Sequence, residues 1–161
     1  MKIANELVLK FLPHRDPFLF VDTIEDVIAP RELAEGELLP LKELVGTKVI
    51  ANFHMREDHP IFAGHFPGNP IFPGVAQVEM MAQASSFIYV HAYENPYIQN
   101  MDVALVSISN AKFRKPVLPG MDLVIETECA KVRGPMVESH CRLLHDGQLV
   151  SECTVMASVK M

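Results

Sequence analysis

The sequence predicts an α+β protein in which one long apolar helix lies on a face of an antiparallel sheet. Two observations carry this. The run from Pro73 to about Tyr89 is rich in good helix formers and apolar on most sides, as in a helix covered almost all round. Beyond it come four strand-like segments, Val103–Arg114, Leu123–Val132, Val137–Leu144 and Leu149–Val159, joined by short turns marked LPGMD, RGP and HDGQ. Turns this short join antiparallel neighbours, and a helix followed by such strands packs on one sheet face.

Taken in order, residues 3–11 read as a short helix ended by Pro13. Phe18 to Asp26 reads as a strand, with His14 and Arg15 in the connection. His14 is read as a structural hydrogen-bonding residue rather than a second base. Residues 27–47 are punctuated by Pro30, Gly36, Pro40 and Gly46 and read as a surface insertion, with a short helix around Leu41–Val45. Thr47 to Met55 is a strand, and His91 to Gln99 a loop. The last three strands alternate. Leu123, Ile125, Thr127 and Cys129 share a face, as do Val137, Ser139, Cys141 and Leu143, and Leu149, Ser151, Cys153, Val155, Ala157 and Val159.

At 161 residues the chain is read as one domain, 1–161, with a real core. A formal charge of −6 argues against general nucleic-acid binding, and no apolar run reaches membrane-spanning length. The N-terminus lacks a signal peptide's apolar core, so a cytoplasmic location is expected. Cys129, Cys141 and Cys153 are odd in number, lie in strands and read as reduced, packed thiols. His54, His59 and His65 lack regular ligand spacing, so no metal site is expected.

The chemistry concentrates in Gly64 to Gln83, GHFPGNPIFPGVAQVEMMAQ. Pro67, Pro70 and Pro73 fix φ and remove donors, which makes a stiff loop that holds His65 in one orientation. Within the helix Glu79 and Gln83 are four apart and share a face. A buried carboxylate has its pKa raised by desolvation, which suits a general acid, and a histidine suits a general base near neutral pH. A helix beginning near Gly74 offers unpaired backbone N–H groups to a polarised carbonyl.

This stretch resembles the FabZ-type 3-hydroxyacyl-acyl carrier protein dehydratases, of the hot-dog fold. LPHRDPFLFVD, Leu12 to Asp22, is similar to that family's N-terminal motif, and AKFRKPVLPGMDL, Ala111 to Leu123, to its strand-and-turn motif. Glutamate rather than aspartate at position 79 favours FabZ over its FabA sister. The resemblance implies a sheet wrapped around a long central helix. It also implies a cofactor-free dehydration of (3R)-3-hydroxyacyl-acyl carrier protein to the trans-2-enoyl form and water, in fatty acid or related acyl-chain biosynthesis. His65 would be the base, Glu79 the acid, Gly74 N–H the enolate stabiliser, and Gln83 the residue that positions Glu79. The family forms homodimers with the site at the interface, and trimers of such dimers are common, so His65 would face Glu79 of the partner. Phe66, Phe72, Val75, Phe87 and Phe113 are expected to line an acyl tunnel. Lys112, Arg114 and Lys115 are expected to dock the acidic carrier and its phosphopantetheine-linked chain. The chain departs from the family at Asn69, where histidine is common, at Asp16, where tyrosine is common, and at Ala104, aligned with a tyrosine gate. Segment 27–47 is also longer than in typical members. A hot-dog thioesterase and a non-catalytic thioester-binding protein are the alternative readings.

Overall fold

In a computed structural model that describes residues 1–98 and 102–160, six strands form one antiparallel sheet in the order β1-β2-β4-β5-β6-β3. They are β1 Thr23–Ile28, β2 Lys48–His54, β3 Asp102–Phe113, β4 Asp122–Arg133, β5 Met136–His145 and β6 Gln148–Lys160. The helices are α1 Asn5–Phe11, α2 Ile61–Gly64 and α3 Gly74–Ser85. Two 3-10 stretches, Leu41–Leu44 and Ser86–His91, complete the regular structure.

The sheet curls around α3, whose Ala76, Val78, Met80, Met81 and Ala84 are buried. Met80 and Met81 are fully enclosed, and truncating either to alanine would cost about 2–5 kcal/mol. The helix was expected to run to Tyr89, but its α-helical part ends at Ser85. The Ser85 hydroxyl donates to Ala82 O (2.8 Å) and that of Ser86 to Gln83 O (2.7 Å). Such back-bonding competes with the helical ladder, and the chain continues as the tighter 3-10 form.

The alternation read on β4 and β5 holds, with Leu123, Ile125, Thr127, Cys129, Val137, Ser139, Cys141 and Leu143 buried. On β6 it slips at one point. Leu143 faces Ser151 while Leu144 faces Leu149, so a bulge sits at Val150. Val150 is therefore buried and Leu149 is only partly so. Asp146 and Gly147, both at positive φ, make the tight β5–β6 turn. Cys129, Cys141 and Cys153 are free and buried.

The strand expected to start at Phe18 begins only at Thr23. Residues before it are held by a helix side chain instead of a strand: Phe20 N donates to Gln83 Oε1 (2.9 Å) and Gln83 Nε2 donates to Phe18 O (2.9 Å). Segment 27–47 is anchored by buried Leu39 and Leu44, and Leu39 N donates to His91 O. β3, a sheet edge, is exposed along its length, including Val103, Leu105, Val106, Ile108 and Phe113.

Candidate active site

The loop after α2 is built to hold one imidazole. Ile71 N donates to His65 O (3.0 Å), and Phe66 and Asn69 exchange backbone hydrogen bonds (2.9 and 2.8 Å). Gly68, at φ +74°, supplies a conformation that side chains rarely adopt. The His65 ring then closes the loop: Nδ1 lies 2.7 Å from Ile71 O. A carbonyl only accepts, so Nδ1 carries the proton and Nε2 keeps its lone pair. Phe66 stacks on the ring at 3.9 Å between centroids and is half exposed. Asn69 contributes its backbone to this loop, while Asp16 pairs with Arg56 (3.1 Å).

His65 opens into a cavity of about 380 Å³ shared with Phe72, Gly74, Gln77, Phe113, Arg114 and Lys115. Gly74 is the first residue of α3, and among the described residues its N–H has no acceptor. A side chain there would collide with Phe113, since an added Cβ would sit 3.0 Å from two ring carbons. Gln77 was not singled out from the sequence. Its Nε2 donates to Phe72 O (3.2 Å), and its buried Oε1 has no partner.

Glu79 lies in a second cavity, of about 210 Å³, with His14 and Gln83 at its polar end. Its walls are apolar, with Leu12, Ile88, Val103, Leu105, Val137 and Val155 among them. One carboxylate oxygen, Oε1, receives both neighbours: Gln83 Nε2 at 3.0 Å and His14 Nε2 at 3.2 Å. Burial alone pushes this carboxyl up, as expected from the sequence. The hydrogen bonds from His14 and Gln83 and the charge of His14 outweigh it, and the pKa ends below the usual 4.5. His14 reaches Glu79 because Arg15 fixes its loop. That guanidinium donates to the carbonyls of Leu9, Leu12 and His14, capping the end of α1. In the sequence His14 is set between Pro13 and Pro17, which restrict the backbone of its loop.

The structure thus gathers His65, Gly74, Phe72 and Phe113 at one cavity and Glu79 and Gln83 at another, and among the described residues none lines both. Phe87 is in neither. It is fully buried and stacks on Phe11 at 4.3 Å. Val75 is 81% exposed. Lys112 stands exposed on β3, Arg114 pairs with Glu152 (3.2 Å), and Lys115 donates to Gln148. Ala104 alternates with Val103 and Leu105 and lines neither cavity. Among the described residues no three histidine, cysteine, aspartate or glutamate side chains converge as metal ligands, and no helix is long and apolar enough to cross a membrane. His54 pairs with Asp122 (2.7 Å), and His59 is buried against Phe20.

Residues 12–154 match the family model of the FabA-like domain. The chain is 35% identical over 160 residues to a 3-hydroxyacyl-[acyl-carrier-protein] dehydratase FabZ of Ehrlichia canis, covering 99% of this chain and 97% of that one. It is 37% identical over 155 residues to the enzyme of the same name from Pasteurella multocida, covering 96% and 90%. In three dimensions it is similar to the dehydratase heterocomplex ApeI:P from Xenorhabdus doucetiae, with a TM-score of 0.64, 14% identity and coverage of 96% and 91%. A thioesterase superfamily member from Thermus thermophilus superposes with a TM-score of 0.59 at 16% identity, covering 76% and 86%. At these identities the structural likeness speaks to the fold alone, which is the hot-dog fold.

Proposed function

This chain belongs to the FabA-like family, and from that premise we propose that it is a 3-hydroxyacyl-[acyl-carrier-protein] dehydratase. It converts (3R)-3-hydroxyacyl-acyl carrier protein to the trans-2-enoyl thioester and water, as a single 161-residue domain in the cytoplasm. The observation that carries this reading is the His65 clamp. Nδ1–H is committed to Ile71 O, so Nε2 is left as a base, in the same cavity as the free Gly74 N–H.

The thioester acidifies the C2 proton, but hydroxide leaves poorly, so three groups are needed. His65 Nε2 removes the C2 proton, Gly74 N–H stabilises the enolate oxygen, and Glu79 protonates the departing C3 hydroxyl. Acid and base each contribute about 10²–10⁴-fold, and the backbone donor about 10²–10³-fold. Gln83 holds Glu79 in place for this step.

The two halves meet in a homodimer. β3 carries Phe113, of the His65 cavity, near one end and Val103 and Leu105, of the Glu79 cavity, near the other. Two copies of this apolar edge pairing antiparallel would set the Phe113 end of one beside the Val103 end of the other. That brings His65 of one protomer toward Glu79 of its partner and covers an edge that is otherwise open. Phe66 and Val75, exposed in the single chain, would be covered on the same side. Phe72 and Phe113 wall the thioester end of the tunnel, and Phe87 supports it from behind Phe11, which lines the Glu79 cavity. Lys112, Arg114 and Lys115, near the mouth of the His65 cavity, form the basic surface for the acidic carrier and its phosphopantetheine arm.

Hydration of crotonyl thioester, followed at the enoyl absorbance, tests this. His65→Ala and Glu79→Gln should each abolish turnover. Mixed after co-refolding, they should regain about a quarter of wild-type activity, because half the dimers are mixed and one of the two sites in each is intact. Release of free thiol from saturated acyl thioesters without hydration would instead identify a thioesterase.

A further inference from the structure

The two donors on Glu79 are not equivalent in what they explain. Gln83 is shared among Glu79, Phe18 O and Phe20 N, so it ties the helix to the chain before β1. His14 Nε2 makes its polar contact with Glu79 alone, and its Nδ1 is buried with no partner among the described residues. This is the reverse of His65, whose Nδ1 is pinned and whose Nε2 is open. His14 therefore approaches Glu79 as a donor and has no other polar side-chain bond to serve.

We propose, resting on the dehydratase reading above, that His14 is a second positioning residue for the acid: with Gln83 it occupies Oε1, so that the transferable proton sits on Oε2. In the reaction that proton passes from Oε2 to the C3 hydroxyl, the C3–O bond breaks with its electron pair, and water departs. The C2–H electrons become the new double bond and His65 takes the C2 proton. Glu79 is left as a carboxylate, and the His14 donor is then bonded to an ion. Hydrogen bonds to ionised acceptors are roughly twice as strong as neutral ones. The His14 contact thus tightens as the proton leaves, and it favours the transition state over the bound substrate. The lowered proton affinity of Glu79, with the His14 hydrogen bond as one cause, agrees with this.

Among the described residues little else charged faces the pair. On the His14 side Arg15 spends its guanidinium on backbone carbonyls. Beyond α3, Tyr89 lines the cavity, its hydroxyl kept neutral by burial. The cavity residues from the sheet, Val103, Leu105, Val137, Ser139, Val155 and Ala157, carry no charge.

The test compares His14→Leu, which removes the donor, with His14→Gln, which keeps one. Dehydration of the (3R)-3-hydroxybutyryl thioester, followed as the enoyl band appears, is measured across pH, with thermal melting as the folding control. His14→Leu should lower kcat about 10²-fold, as loss of a preorganised donor does, with KM changed less than about threefold. The basic limb of its pH profile should move to higher pH, because Glu79 loses a hydrogen bond that favours its ionised form. His14→Gln should recover at least about tenfold of the loss. A His14→Leu variant that melts normally and keeps its kcat, or whose pH profile does not move, overturns the proposal, as does a folded His14→Gln that recovers nothing. Failure of the dehydratase reading looks different: wild type would then neither dehydrate this thioester nor hydrate the crotonyl one, or Glu79→Gln would remain active.

Discussion

Gln83 joins Glu79 to the chain 63 residues upstream: its Nε2 lies 3.0 Å from Glu79 Oε1, while its Oε1 accepts Phe20 N at 2.9 Å. One buried amide thus serves the fold and the acid together. Gln83→Ala leaves a buried N–H and a carbonyl unpaired, and we expect a loss of about 1–3 kcal/mol in urea unfolding. Activity should fall in the same variant at temperatures where it remains folded.

Gly74→Ala separates stability from turnover. The new Cβ would lie 3.0 Å from Phe113 Cε1 and Cζ, but Phe113 is half exposed and its ring can swing away. Stability should change by less than about 1 kcal/mol, since alanine suits a helix. The displaced ring encroaches on the His65 cavity, so thioester hydration should fall about tenfold, as reacting groups moved by about 1 Å lose rate steeply. Gly74→Ala combined with Phe113→Leu should recover most of it.

Ile108 is half exposed near the middle of β3. Ile108→Lys places a charge on the pairing edge, the device by which natural sheets discourage association. Sedimentation should shift to the monomer mass, with far-UV circular dichroism unchanged. Hydration should be lost with the dimer, because each chain alone keeps its base and its acid in separate cavities.

Asp22 gives a pH signature of folding. Burial pushes its carboxyl above the usual 3.8, against the hydrogen bond from His54 N and the nearby charges of His54 and Arg56. The folded chain therefore holds this proton more tightly than the unfolded one. Its stabilising contribution is complete below 3.8 and is lost as pH rises through the folded value. Asp22→Asn should accordingly gain stability relative to wild type on going from acid to neutral pH. Denaturant midpoints for both chains, at about pH 3.5 and pH 7, measure this directly.

Much of this was legible in the sequence, and the failures have physical causes. The stretch Gly64–Gln83 announces itself because prolines and glycines leave few conformations, and β4 and β5 because one face must be apolar. The start of β1 was misplaced because extended backbone at Phe18–Phe20 finds its partner in a side chain of α3, which no local pattern records. Val150 was missed because a bulge shifts the alternation by one residue. The proton affinity of Glu79 was misjudged because burial is local to α3 while the opposing donor, His14, comes from a loop far away in sequence. Phe87 and Val75 are both apolar, and only their place along the helical run decides that Phe87 is buried against Phe11 while Val75 is exposed in the single chain.

The sheet order has a consequence for how the protein is made. β3 comes before β4, β5 and β6 in the chain, yet its partner in the sheet is β6. As the polypeptide leaves the ribosome, β3 emerges as an apolar ribbon with nothing to pair with. It waits for about fifty further residues, several seconds at about 5–20 residues per second. Nascent chains stalled before Gln148 should therefore draw chaperones, and loss of β6 should leave an aggregating remnant rather than a smaller working fold.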